Sequence, residues 1–297
     1  MILSADCMLC LITRQVQHMD PSLDEPARAD YLRDVLRVLL EADPAESAPV
    51  ALERINELHK ERFGRPFGFD RPFGFDSLKR QNNELMLRKE AAIAEKIAAA
   101  ADPLLAAVRF ARAGNYIDFG ALGAVDDDKL DRLLESAGGE AVDMAVYDDF
   151  LRDLSGADTL VYLTDNCGEI VLDKLLIKEI RTKFPLLAVT VITRGAPVLN
   201  DVTMEDAQAV GLDGVAEVIG NGTGIGGTHL PAVCEGARQK ILAADVIISK
   251  GQGNFETMQG CGLNVYYLFL CKCDWFVKRF GMKRHQGVFA REKQSRE

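Results

Sequence analysis

Two periods of hydrophobic spacing run along the chain, and they change over near Phe150. Before that point apolar residues recur at helical intervals. "RADYLRDVLRVLLEAD" sets Leu32, Val35, Leu36 and Leu39 on one stripe, and "SAPVALERINELHKERFG" continues the pattern. "KEAAIAEKIAAAADPLLAAVRFARAGN" is alanine-rich, with Pro103 after Asp102 as a helix start and Gly114 as a stop. After Phe150, short apolar runs alternate with helical segments. "TLVYLTDN" precedes "EIVLDKLLIKEIRTKF", "LLAVTVITRG" precedes "TMEDAQAVG", and "VAEVIGNG" precedes "LPAVCEGARQKILAA". "ADVIISKG" precedes "NFETMQG", "LNVYYLFLCK" precedes "CDWFVKRFG", and "QGVFA" is a last strand. Apolar strands without clean alternation, each followed by a helix, predict a sheet covered on both faces. The expected architecture is an N-terminal helical domain over residues 1–150. A three-layer α/β/α domain with a mostly parallel sheet follows over residues 151–297.

Composition narrows the partners. The 297 residues are 48% hydrophobic and 27% charged, enough to bury a core, and the formal net charge is −10. Such a chain repels nucleic-acid backbones and anionic membrane surfaces, so neither is expected as a partner. An acidic protein that handles phosphorylated molecules needs a local device, such as a metal ion, to reverse the field. "MILSADCMLCLITRQ" does not read as a secretory signal, because Asp6 breaks the apolar run and no basic residue precedes it. Seven scattered cysteines fit reduced thiols and a cytoplasmic setting. The tandem "RPFGFDRPFGFD", Arg65 to Asp76, is too short for an architectural repeat and reads as a duplication in a surface loop.

In a doubly wound sheet the ligand crevice lies beyond the carboxyl ends of the strands. Three strands here end in chemically loaded loops: "TDNCGE", "TRGAPVLND" and "SKGQGN". Asp165 and Asn166 follow the first, and Asp201 follows the second about one strand–helix–strand unit later. Two carboxylates and an amide oxygen are hard donors, suited to a divalent ion with positions left for water and phosphate. Helix capping explains one residue of the Asp165–Asn166 pair, not both. In the third loop, which runs to Asn254, Lys250 precedes Gly251 and Gly253 at a helix start, either a small phosphate cradle or a glycine turn with a solvated lysine. Arg194 is placed to clamp an anion or to form a surface ion pair. Glu169 either orients a metal-bound water or merely favours the helix dipole. "NGTGIGGT" lines the crevice or is a plain connection. Cys7 and Cys10 form a CxxC, and with Cys271 and Cys273 they make either a four-thiolate zinc site or, by default, core cysteines. Cys167 opens a helix, which lowers a thiol pKa and favours oxidation or metal capture there.

Taken together, "CMLC", "ARAGNYIDFG", "DNCGEIVLDK", "RGAPVLNDVTMEDA" and "ISKGQGNFET" resemble the motifs of the damage-control phosphatases, in order along the chain. These are metal-dependent enzymes formerly catalogued as a domain of unknown function, and the CxxC resembles their archaeal and bacterial branch. The resemblance implies a metal held by Asp165, Asn166 and Asp201, with Lys250 on the substrate phosphate. It also implies that Asn115 and Asp118 lie near the crevice. The chain departs from the pattern at Cys167, where alanine is usual, and in "NGTGIGGTHL", which lacks an acidic position. The expected function is hydrolysis of small phosphometabolites, such as sugar phosphates or damaged phosphorylated cofactors, with Mn²⁺, Co²⁺, Ni²⁺ or Mg²⁺. Asp165, Lys250 and Glu169 are the expected catalytic residues, and Lys250, Arg194, Asn254, Asn115 and Asp118 the expected substrate-binding ones. A non-catalytic metal and phosphometabolite sensor is the alternative. A carboxyl methyltransferase ranks last, for want of an S-adenosylmethionine motif.

Overall fold

In the computed structural model, residues 2–64, 74–117 and 127–292 are described. Asp118 therefore lies outside the described residues. So do residues 65–73 of the tandem repeat, whose last residues open a helix. The helical half runs α1 (Ala5–Gln17), α2 (Glu25–Leu40), α3 (Ala48–Phe63), α4 (Gly74–Ala98), α5 (Pro103–Gly114), α6 (Asp127–Ala137) and α7 (Met144–Ser155). Local chemistry sets several of these starts. Asp24 accepts the Ala27 N–H ahead of α2, and Asp102 accepts the Leu105 N–H ahead of α5, with a proline in the first turn of each.

The second half alternates as its spacing predicts. It runs β1 (Thr159–Leu163), α8 (Glu169–Lys183), β2 (Ala188–Thr193), α9 (Met204–Ala209) and β3 (Glu217–Gly220). Then come α10 (Glu235–Leu242), β4 (Val246–Lys250), α11 (Gly251–Met258), β5 (Val265–Leu270), α12 (Asp274–Phe280) and β6 (Gly287–Arg291). The strands lie in the order β3-β2-β1-β4-β5-β6, parallel except for β6, which is antiparallel to β5. The protein is thus a three-layer α/β fold on a mostly parallel sheet. One helix is shorter than its pattern suggests: residues 230–233 are turns and bends, and Cys234 donates its N–H to Asn221 O before α10 begins.

Three apolar clusters hold these layers. On one face of the sheet, α4 to α9 pack into a single core with Tyr162, Val191, Ile248, Tyr266 and Leu268. The hydrophobic core therefore runs across the change of period at Phe150. On the other face α10, α11 and α12 cover Val161, Ile192, Ile247 and Tyr267. α1, α2 and α3 enclose a third core around Tyr31, Val35 and Ile55, and Leu199, from the loop after β2, packs against it. The sheet order reverses between β1 and β4, and in a doubly wound sheet the ligand crevice lies at the carboxyl ends of the strands beside such a reversal.

Candidate active site

At the end of β1 the chain turns alongside the loop that follows β2. Val202 N–H donates to Asp165 O at 2.8 Å and Cys167 N–H donates to Asn200 O at 2.9 Å, so Asn166 and Asp201 form an antiparallel bridge. Residues facing each other across such a bridge hold their Cβ atoms about 5 Å apart, on the same side. Arg194 closes the group. Its Nε donates to Asp201 Oδ2 at 2.7 Å, and its Nη2 lies 3.7 Å from Asp165 Oδ1. Asp165, Asn166 and Asp201, remote in sequence, are thus gathered by backbone pairing and by one buried guanidinium.

Glycines make the close approaches possible. Gly168 has φ 84° at the start of α8, and its N–H donates to Asn83 Oδ1 on α4 at 2.6 Å. Gly251, φ 80°, runs against Asp165 so closely that a Cβ there would stand 2.0 Å from Oδ2. The loop "NGTGIGGT" packs directly on the site loops: Gly195 N and Thr223 N both donate to Asn221 Oδ1 at 2.9 Å, and Thr228 Oγ1 donates to Asn254 Oδ1 at 2.8 Å. It lines the crevice and is not a plain connection.

Beneath the crevice lies a buried ionic group. Lys250 Nζ donates to Ala111 O at 2.8 Å, Glu169 Oε1 at 2.5 Å and Asp173 Oδ1 at 2.6 Å. Asn115 Nδ2 reaches Asp165 Oδ2 at 2.9 Å and Glu169 Oε2 at 3.0 Å, while its Oδ1 accepts Leu270 N–H. Asn166 Nδ2 donates to Asp165 Oδ2 at 2.7 Å. Asn254 joins three strand ends, donating to Thr164 O and Lys250 O and accepting from Arg194 Nη1 at 3.2 Å. All the expected site residues except Asp118 are therefore close together, although their hydrogen bonds differ from those expected. Lys250 is fully buried with its three N–H groups committed within the protein, and Arg194 is a buried link, not a surface ion pair.

The charges are unbalanced. Burial, then the neighbouring Glu169 and Asp201 charges, pushes the Asp165 carboxyl well above the carboxylate range, while Lys272 and Arg194 pull the other way. Burial also pushes Asp173 up, to about 7, with Lys250 opposing. For Lys250, burial lowers the ammonium pKa, but the Asp173 and Glu169 charges outweigh it and the net shift is upward. A pocket with this carboxylate excess and hard oxygen donors fits a divalent ion at Asp165, Asn166 and Asp201. The third donor is an amide; among the described residues no three His, Cys, Asp or Glu side chains gather as a metal site.

That observation also leaves Cys7, Cys10, Cys271 and Cys273 without a four-thiolate site; Cys271 is buried and Cys10 exposed. Cys167 corrects the expectation of a reactive thiol. It is fully buried, and desolvation pushes its pKa well above the usual thiol value, which outweighs the helix terminus. The sequence reading missed Asp173, which binds Lys250 and accepts the Tyr162 hydroxyl at 2.7 Å. Its signal was there: Asp173 lies four residues after Glu169 on one helix face. Asn83 and Lys272, held by other elements, carried no local signal.

A doubly wound sheet with an oxygen-rich, carboxylate-heavy group of side chains at its switch point defines a class of α/β proteins whose polar residues gather beyond the carboxyl ends of the strands. Within that class the chain belongs to a particular family: residues 3–288 match the family model described as the damage-control phosphatase ARMT1-like domain. The chain is 32% identical over 193 residues to damage-control phosphatase PH1575 of Pyrococcus horikoshii, covering 63% of this chain and 64% of that protein. It is 28% identical over 289 residues to a damage-control phosphatase of Archaeoglobus fulgidus, covering 95% and 96% of the two chains. The crystal structure of a DUF89 family protein (PH1575) from Pyrococcus horikoshii superimposes with a TM-score of 0.79 at 27% identity, over 99% of this chain and all of that one. The match to the first of these relatives thus spans just under two thirds of its length.

Proposed function

We propose that the protein is a divalent-metal-dependent phosphomonoester hydrolase acting on small phosphometabolites, such as sugar phosphates or damaged phosphorylated cofactors. The observation that carries this reading is the bridge between Asn166 and Asp201, with Asp165 beside it, in a crevice short of positive charge. The names of the relatives agree with it. Asp165, Asn166 and Asp201 would hold Mn²⁺, Co²⁺, Ni²⁺ or Mg²⁺, which would supply Lewis-acid withdrawal of charge from a phosphate oxygen.

The chain's own groups do the rest. Arg194 Nη2 is buried without a hydrogen-bond partner and offers an N–H to a phosphate oxygen. The first N–H groups of α11 carry no side-chain cap and face the same end of the sheet. Asn115 and Asn166 fix Asp165 by donating to its Oδ2, which favours water over Asp165 as the nucleophile. Lys250 acts chiefly by neutralising and orienting Glu169 and Asp173; touching a phosphate requires it to release one of its three bonds. Glu169 orients Asn115 and Asn166 and lies close enough to the ligand group to align a water. The "CMLC" pair supports the archaeal and bacterial branch, and the unbridged cysteines support a cytoplasmic setting.

The test is hydrolysis of an aryl phosphate with each of the four ions. Wild type should turn over with at least one, and Asp165→Ala and Asp201→Ala should each lose about 100-fold or more in kcat/KM. A wild type inert with every ion, or variants at full turnover, would end the enzyme reading. Calorimetric binding of ion and phosphometabolite by an inert wild type would leave the sensor reading in its place. An aspartyl-phosphate trapped at Asp165 would replace water as the nucleophile.

A further inference from the structure

α3 packs on α11, and Leu199, from the loop after β2, packs against the core that α3 shares, so this helix lies against the carboxyl end of the sheet. From it Glu53 reaches the glycine-rich loop. A Cβ placed on Gly224 would stand 3.1 and 3.6 Å from the two Glu53 carboxylate oxygens and 3.7 Å from Ala196 Cβ. Ala196 is two residues beyond Arg194, and its N–H donates to Thr223 O at 3.1 Å. Glu53 therefore stands where the loops after β2 and β3 meet, at the rim of the crevice that contains Arg194 and Asp201. Gly224 has no side chain to cover the carboxylate. Glu53 thus brings a carboxylate to this glycine-rich loop from a different element.

Two features separate Glu53 from an ordinary surface glutamate. It is half-buried, yet no cation among the described residues pairs with it; the neighbouring Arg54 binds Glu46 instead, at 2.7 Å. Its close companions are another acid, Glu57, and Asn56, which hydrogen-bonds it and whose own Oδ1 is buried without a partner. Burial first, then the Glu57 charge, raises the Glu53 pKa. A carboxylate kept half out of water with no countercharge is disfavoured on stability grounds, which points to a role in binding.

We infer that Glu53 is a specificity-determining residue, which accepts hydrogen bonds from hydroxyls on the organic part of the substrate and rejects substrates carrying a second negative charge there. The inference rests on the phosphatase reading above and assigns to Glu53 the choice among monophosphates by the charge and hydroxyls of their organic part. A carboxylate has several acceptor sites for neighbouring hydroxyls, and in a partly dry crevice it repels a second anion strongly enough to matter.

The experiment compares kcat/KM for a neutral polyol monophosphate, such as a hexose phosphate, with that for a monophosphate bearing a carboxylate, such as a phosphoglycerate. Wild type should prefer the neutral compound, and Glu53→Gln should shrink the ratio about tenfold. Adding Gly224→Asp to that variant returns a carboxylate to the same region and should restore most of the preference; Gly224 is not in the left-handed region, and the 3.1 Å approach of its Cβ is to the end of the flexible residue-53 side chain, which can turn aside. A ratio changed by less than about threefold, with both substrates turned over, would overturn this inference alone. Wild type inert on both compounds and on the aryl phosphate would overturn the phosphatase reading, and the inference with it.

Discussion

Gly251 is the residue on which the site leaves least room. Its φ of 80° suits glycine alone, and any Cβ would meet Asp165 Oδ2 at 2.0 Å and Cγ at 2.2 Å. Gly251→Ala should cost about 2 kcal/mol or more in stability and displace Asp165. The expected outcome is a lower unfolding midpoint in denaturant together with loss of most aryl-phosphate turnover; a variant with wild-type stability and rate would contradict the geometry. At this scale the sequence was informative about identity and poor about direction. Asp165, Asn166 and Asp201 could be picked out because polar groups at strand ends have few other reasons to cluster. That Lys250 points inward to Ala111 O, 139 residues away in the chain, could not be read, because no local pattern records where a long side chain ends.

Among elements, α4 supports the site without touching the ligand group directly. Asn83 accepts the Gly168 N–H at the head of α8, and Lys79 binds Asp206 at 2.5 Å, the residue that accepts the Thr203 N–H at the start of α9. One helix thus secures the loops after both β1 and β2. Asn83→Ala leaves a buried N–H unpaired and should cost about 1–3 kcal/mol. Because Gly168 leads into Glu169 and lies two residues after Asn166, kcat should also fall, by about tenfold, with KM little changed; stopped assays with the aryl phosphate would measure the split. The elements themselves were largely legible. All six strands fall where the apolar runs predicted them; the central ones, β1, β2, β4 and β5, are covered on both faces and so are apolar almost throughout. The antiparallel setting of β6 was not specified, because direction depends on the path of the connection and not on composition. The late start of α10 was missed because Cys234 is held by Asn221, a contact between distant loops.

For the whole molecule, the net charge of −10 and the carboxylate excess beyond β1 and β2 point the same way: the proposed dication would stabilise the folded protein. Adding Mn²⁺ or another accepted ion at about 100 times its Kd should stabilise the fold by about 2.7 kcal/mol, a rise of several degrees in Tm. Asp201→Asn should abolish that rise, and chelation should reverse it; a wild-type Tm indifferent to all four ions would remove the ion from the account. No helix among the described residues is long and apolar enough to cross a membrane. The conformation of Leu199 ties the N-terminal helices to this chemistry. It adopts φ 45°, rare for a branched side chain, packs against the core of α1, α2 and α3, and precedes Asp201 by two residues. The first sixty-odd residues and the loop that carries Asp201 are therefore mechanically linked. A change that loosens Tyr31 or Ile55 should therefore be felt, through Leu199, as a misplaced carboxylate at a site to which neither residue belongs.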